Sequence, residues 1–508
     1  MSDSTNRRSS SSTTFTRREL LAGAGVGAGA LLLQRSGLQA QAPAGSAVVF
    51  SHTTVVTHDG ALQDVALAVQ GNRIVAIGPT DPILAKYPGA DVYDGRGKAL
   101  FPGLINCHAH MGAVLARGYN EDFGFPNSNR LEIQPGSLLS PEESTLMIKI
   151  AALECIRTGT TTVVEFSGNI GRHAAALADS GLRCVFAEGV SDVENPAGPV
   201  SAERLAKSEA PRFSPKLREA GLQRAQELFT KWHGAKDGRI SVFPTTSLAE
   251  NASPELMQAI RAFAEKHDLG YTIHLGQSRW EVEYMRRHHG VLPTEFLARH
   301  GFLGPRLFAA HCRYLEASEV ELLGKSGTIV TNQAAMAGNR GVNPPIAALR
   351  EAGCPIAQGT DNNTNDVFGN MRIAMVMERI QRNDAIPGLR PQPEDMLEDA
   401  TLGGARAVRQ SKDLGSLEVG KKADILVLDT RRPHLVPAGR IVSAWIHNGQ
   451  PSDIESSMVD GQFVMRNGKV LTMDEASLVK EADAVGQRVW GMVQKASPVK
   501  VPRVTRRT

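Results

Sequence analysis

At 508 residues, with 42% hydrophobic and only 5% aromatic residues, the chain is too long for one small domain. It has the Ala/Val/Leu/Gly texture of an α/β protein. Its formal charge of +3 is concentrated in residues 1–40, which hold five Arg against Asp3 and Glu19. Without them the chain is close to neutral, and no basic stripe suited to nucleic acid remains.

The first 42 residues are laid out as a targeting segment. A Ser/Thr-rich start leads to Arg17-Arg18, an apolar run softened by Gly and Ala up to Leu33, and small residues suited to cleavage near Ala40 or Ala42. The apolar run, about 14 residues, is too short to cross a bilayer core of ~30 Å as a helix. Residues 1–42 resemble a twin-arginine export signal. That implies an exported, periplasmic protein with no stable membrane insertion after signal removal. The five cysteines, at 107, 155, 184, 312 and 354, are odd in number and form no CxxC, so no disulfide framework is expected.

Residues 43–99 read as short strands. "AVVFSHTTVVTHDG" and "DVALAVQGNRIVAIG" join β-branched runs through Asp-Gly and Gly-Asn turns. The same texture returns over 415–475, in "ADILVLDT" and "SMVDGQFVMRNGKVLT", so the two ends predict one composite β-sandwich. Between them, residues 100–414 alternate strand and helix, with eight apolar runs from "LFPGLINCHAH" to "PIAQGTD". "SPEESTLMIKIAALECIRTG" opens with Ser140 as N-cap and Pro141 in the first turn. Eight strands alternating with helices predict an α/β fold, a (β/α)8 TIM barrel. Residues 476–508 read as a last surface helix and a basic tail.

In such a barrel the chemistry lies at the C-terminal strand ends. The first run ends in His108-x-His110, and residues i and i+2 of a strand share a face, so the two imidazoles converge. Converging neutral imidazoles are half of a metal site. The fifth run ends in His274, the sixth in His311 and the eighth in Asp361. Of the 14 histidines, four fall at these ends. The others, such as His173, His288-His289, His434 and His447, read as surface or internally satisfied residues.

Taken in order, "PGLINCHAH", "YTIHLGQS", "LFAAHC" and "IAQGTDNN", with "LGSLEVGKKADILVLD" near the C-terminus, resemble the amidohydrolase superfamily over residues 47 to about 475. Within it they are most similar to the branch of triazine hydrolases, guanine deaminases and related aminohydrolases. The resemblance implies that His108, His110, His274 and Asp361 ligate one divalent metal ion. It makes His311 a metal-proximal catalytic histidine, and Asp361 the group that moves a proton from the attacking water to the leaving group. A second metal needs a carboxylated Lys at the end of strand four, where "ISVFPTTS" offers Thr245 and Thr246. One ion is therefore implied, zinc first, with Fe or Mn as alternatives. Barrels of this kind commonly pair, which implies a homo-oligomer, dimer or higher.

Gln277 departs from that branch, which carries an acid three residues after the strand-five histidine to protonate a ring nitrogen. An amide donates hydrogen bonds but is no useful proton donor. The strand-seven end, "TIVTNQAAMAGNRG", also departs, at Asn332 and Gln333. Gln277, Glu188 and Asn332 are the candidate substrate-binding residues, with Glu165 at the end of strand two. The expected function is metal-dependent hydrolysis of a non-peptide carbon–nitrogen bond, of amide, urea or carbamate type, in a small heterocyclic or aryl substrate. The alternative is deamination or a related displacement on a purine-, pyrimidine- or triazine-like ring. A third reading is a metal-free binding or assembly protein.

Overall fold

Turn residues set the first strands in a computed structural model that describes residues 47–119, 131–196 and 201–496. The export segment at 1–42, part of the loop after His110 and the basic tail lie outside the described residues. β1 (Val48–Thr57) and β2 (Gly60–Gln70) pair as an antiparallel hairpin, and β2 turns into β3 (Arg73–Pro79) at Gly71-Asn72. β4 (Asp91–Asp94) and β5 (Lys98–Pro102) run parallel to β1. From the other end of the chain, β14 (Ile425–Asp429) pairs antiparallel with β5, followed by β15 (Ile454–Val459), β16 (Gln462–Arg466) and β17 (Lys469–Val470). Where the sequence suggested a sandwich, hydrogen bonding runs unbroken through one nine-stranded sheet of order β17-β16-β15-β14-β5-β1-β2-β3, with β4 against β1. Alternation decides what each face meets. Ala99, Phe101, Leu426 and Leu428 pack on the central body, while Leu100, Ile425 and Val427 pack with Phe50, Leu67 and Tyr93.

The central body is α/β, with two four-stranded parallel sheets. One holds β6 (Leu104–Ala109), β7 (Thr160–Ser167), β8 (Arg183–Val190) and β9 (Ile240–Thr246); the other holds β10 (Tyr271–Leu275), β11 (Leu307–His311), β12 (Ile329–Asn332) and β13 (Ile356–Gln358). Both seams between them carry hydrogen bonds. At one, His274 N–H donates to Ser247 O at 3.0 Å and Thr272 N–H to Thr245 Oγ1 at 3.2 Å. At the other, the amides of Thr360 and Asp361 both donate to His108 O at 2.9 Å, and His110 N–H donates to Asp361 O at 3.1 Å.

The sequence placed the start of the first barrel strand at 100, and the structure moves it to Leu104. Pro102 ends β5, then Gly103 N–H bonds Asp424 O and Leu104 N–H bonds Gly159 O. One continuous apolar run thus changes sheets at a single residue, which apolarity alone does not reveal.

The helices start where their caps put them. At Pro141–Arg157, Ser140 Oγ accepts from Glu143 N–H at 3.2 Å and the Glu143 carboxylate accepts from Ser140 N–H at 2.9 Å, a reciprocal capping box. The last helix, Glu475–Ala496, is more than the surface helix expected. It buries Val489 and Val493 against Leu115 and Met147, and Trp490 Nε1 donates to Leu115 O at 2.7 Å. It therefore braces the segment that follows His110. All five cysteines are buried free thiols. Among the described residues no helix is long and apolar enough to cross a membrane.

Candidate metal centre

Side chains from four strand ends meet. His108 is on β6 and His110 follows two residues later; His274 is on β10, His311 ends β11, and Asp361 stands three residues beyond β13. Ligand-type atoms of His108, His274 and His311 lie within 4.8 Å of one another, and so do those of His108, His110 and Asp361. Asp361 Oδ1 is 3.3 Å from His110 Nε2 and 3.8 Å from His108 Nε2. The Phe166 ring walls the cluster, 5.5 Å from His108 and His110 and 4.5 Å from His274. Two of these strand ends are strained. His311, Cys312 and Asp361 have φ of 77°, 48° and 63°, a region that costs non-glycine residues roughly 1–3 kcal/mol each. Gly359 is fixed by crowding: a Cβ there would stand 2.8 Å from Gln333 Nε2 and 3.0 Å from His108 Cβ.

The donor chemistry tests whether a metal fits. A carbonyl oxygen only accepts, so Nδ1 of His110, 2.6 Å from Phe166 O, and Nδ1 of His274, 2.7 Å from Ser247 O, carry their rings' protons. In the neutral rings each Nε2 is then a bare lone pair, yet the two face each other at 3.2 Å. A carboxylate oxygen sits beside them. Burial, with His110 adding to it and the Ser247 carbonyl opposing, holds His274 down at about 3. Burial likewise pushes His108 and His311 well below the usual imidazole range. Neither ring nitrogen of His108 has a hydrogen-bond partner, nor has Nδ1 of His311. Such orphaned buried atoms demand an explanation. A divalent cation held by His108, His110, His274 and Asp361 would relieve the facing lone pairs and take up one of the two orphaned His108 nitrogens. The Nδ1–H bonds to backbone carbonyls are the outer bracing that orients such ligands. Among the described residues the two potential ligand groups share His108, so they form one centre. At the end of β9, Thr245 Oγ1 bonds Thr272 O, and Thr246 Oγ1 is buried without a partner.

The remaining candidates divide. Glu188 is bound within the fold. It is 0% exposed, and its carboxylate accepts from the amides of Asn169 (2.7 Å) and Ile170 (2.9 Å) and pairs with Arg224 Nε at 2.5 Å. It ties the turn after β7 to β8. Glu165 is similarly engaged, accepting from Met111 N–H at 2.8 Å, so it holds the backbone just beyond His110. Asn332 ends β12, buried, with its Oδ1 lacking a partner. Gln277 is half-buried. The backbone amides of Gly276 and Gln277 are held by the Glu281 carboxylate at 2.9 and 2.8 Å. Sequence reasoning missed Glu281 and Arg313, and noted Gln333 only as a departure at the strand-seven end. Gln333 Oε1 accepts from His311 N–H at 2.8 Å and its Nε2 donates to Thr331 Oγ1 at 2.7 Å, fixing the strained end of β11. The only available signal for Arg313 was its place two residues after His311.

Residues 99–470 match the amidohydrolase family. The chain is 30% identical over 430 residues to a 5-methylthioadenosine/S-adenosylhomocysteine deaminase of Desulforudis audaxviator, covering 83% of this chain and 94% of that one. It is also 30% identical over 441 residues to a 5'-deoxyadenosine deaminase of Methanothermobacter thermautotrophicus, covering 85% and 96%. Among solved structures it is similar to a zinc-bound adenosine deaminase of Xanthomonas campestris, with TM-score 0.77, 26% identity and 87% and 98% coverage. An atrazine chlorohydrolase of Arthrobacter aurescens shares the fold, with TM-score 0.75, 22% identity and 86% and 100% coverage. With a family match spanning most of the chain and a His/Asp cluster gathered at its strand ends, the protein belongs to the amidohydrolase family, as an enzyme acting on carbon–nitrogen bonds other than peptide bonds.

Proposed function

We propose that this enzyme is a zinc-dependent aminohydrolase that removes an exocyclic amine from a small purine-like heterocycle. The observation that carries the metal-dependent part is the facing pair of Nε2 lone pairs on His110 and His274 beside Asp361. Zinc is favoured by the zinc-bound adenosine deaminase it resembles. The amino-heterocycle is favoured by relatives named as deaminases, and this puts the alternative expectation ahead of an amide-, urea- or carbamate-type bond. Held by His108, His110, His274 and Asp361, a zinc ion would bring the pKa of water down to near neutrality. Asp361 accepts the proton of the attacking water and passes it to the departing amine. His311 orients the attacking oxygen, and Phe166 keeps bulk water from the reacting face.

A second reading, hydrolysis of an amide, urea or carbamate, is favoured by Gln277, whose amide cannot protonate a ring nitrogen. The experiment is a panel of amino-heterocycles and aryl amides, ureas and carbamates, read by product mass and ammonia yield. Gln277→Glu is then compared on the best substrate. Ring deamination predicts ammonia release that Gln277→Glu maintains or raises. Carboxylic acid products, with turnover lowered in Gln277→Glu, refute the first reading and support the second.

The same reading includes closure of the eight parallel strands as one (β/α)8 barrel, supported by the hydrogen bonds at both seams. It includes export through the twin-arginine route, for which Arg17-Arg18 is the support. It also includes a homo-oligomer, supported by Ile373, Val376 and Ile380, exposed at 39%, 48% and 69% along one face of a helix.

A further inference from the structure

Two residues beyond His311 the chain carries Arg313, and the fold buries it to 7% exposure. It arrives there through two left-handed residues, His311 and Cys312. The backbone then lies on the loop after β10: Cys312 N–H bonds Leu275 O at 2.8 Å, and the amides of Arg313 and Tyr314 both bond Gly276 O, at 3.1 and 2.9 Å. Gly276, at φ 55°, permits that crossing; a Cβ would stand 3.2 Å from Tyr314 O. Arg313 is thereby tied beside the segment His274–Gln277. Two residues from His311 and bonded through its amide to the loop that follows His274, it borders the cluster.

Arg313 forms no ion pair and no side-chain hydrogen bond among the described residues, and its Nε is buried without a partner. A guanidinium cannot escape burial by losing its proton. Burial and the nearby Arg340 press against its charged form, and Asp361 favours it. Asp361, however, is committed to the metal centre. Arg183 shows how the chain treats a buried guanidinium that has no ligand to bind: Asp424 and Asp460 bracket it at 3.0 and 2.9 Å. Arg340, which bonds Asn362 Oδ1 at 3.4 Å, brings a second positive charge to the neighbourhood of His311.

We infer that Arg313 is a specificity-determining residue that binds a carboxylate carried by the substrate close to the carbon–nitrogen bond under attack. The inference rests on the hydrolase reading above and narrows its substrate to amino- or amido-substituted ring carboxylates. Such a group brings the counter-charge that the protein omits, and a guanidinium receives it as a planar fork. A neutral substrate leaves a buried cation unpaired.

The test uses zinc-loaded full-length protein and two inert probes, benzoate and benzamide, titrated calorimetrically into wild type, Arg313→Met and Arg313→Lys. Zinc content and circular dichroism are checked for each. Benzoate should bind the wild type, and Arg313→Met should weaken it roughly 10- to 100-fold with a much smaller change for benzamide. Arg313→Lys should recover part of the loss, since it restores charge without the fork. Equal benzoate affinity in wild type and Arg313→Met means that the carboxylate binds the metal alone and overturns the assignment. Equal weakening of both probes, or no benzoate binding by the wild type, overturns it too. If Arg313→Met does not fold, the comparison of wild type with Arg313→Lys decides on the same criteria. On turnover, the kcat/KM ratio of a ring carboxylate to its carboxamide should fall by a similar factor in Arg313→Met, mostly through KM. Absence of all carbon–nitrogen hydrolysis in the panel defeats the functional reading, while the benzoate comparison still judges Arg313.

Discussion

Replacing Glu188 by Gln separates two fates open to a carboxylate at a barrel strand end: facing the substrate, or holding the scaffold. The buried carboxylate accepts from Asn169 N–H, Ile170 N–H and Arg224 Nε. Gln keeps one carbonyl oxygen, so an NH2 group must face one backbone donor. That loses one charge-assisted bond, worth roughly 1.5–3 kcal/mol, and weakens the other two by roughly 1 kcal/mol each. The Arg224 share shrinks because its side chain is 39% exposed. The sum is roughly 3–4 kcal/mol. For a unit spanning Ser46–Thr508, the entropy of unfolding converts this at about 1 °C per kcal/mol. Glu188→Gln should therefore melt about 3–4 °C below wild type, followed by circular dichroism at one scan rate with saturating zinc. KM on the best substrate should stay within about twofold. An unchanged melting temperature together with a KM raised tenfold or more would show that Glu188 faces the substrate and that the bracing argument is wrong.

Asp361→Asn should lower turnover by at least ~10²-fold while leaving the far-ultraviolet spectrum unchanged; near-normal turnover would require another base. His108→Ala combined with His110→Ala should remove the bound metal in elemental analysis, and retention of a full equivalent would mean that other residues hold it. Burial raises the carboxyls of Glu250 and Glu281, the second also through its neighbour Glu250. The folded state then binds more protons than the unfolded one above the ordinary carboxylate range, so stability falls as pH rises. The melting temperature should drop between about pH 5 and pH 8, and Glu250→Gln should flatten that slope; an identical slope in the variant refutes the assignment.

The clustering of the His and Asp side chains was legible because its signals are local. His108 and His110 follow from a period of two at a strand end, and His274, His311 and Asp361 each close a recognisable apolar run. Glu188 shows the limit of that logic. Its position at a strand end was readable, but its partners lie 18, 19 and 36 residues away, and only the fold brings them to it. Arg313 was missed for a related reason. A basic residue just past a strand reads as solvated unless the left-handed turn at His311-Cys312 folds it inward, and φ leaves no mark on non-glycine sequence. The break at Gly103 was hidden because β5 and β6 are both apolar, although they belong to different sheets.

The position of β5 in the nine-stranded sheet imposes an order in time on synthesis. Its neighbours are β1, made before it, and β14, which begins more than 300 residues later. While the whole central body is being translated, β5 presents an open edge of unpaired backbone groups, the kind of edge on which chains aggregate. A ribosome that stops between Asp361 and Ile425 leaves that edge exposed in a chain that already carries His108, His110, His274, His311 and Asp361. Products truncated in that window should therefore fail by sticking to one another and not by lacking the clustered residues.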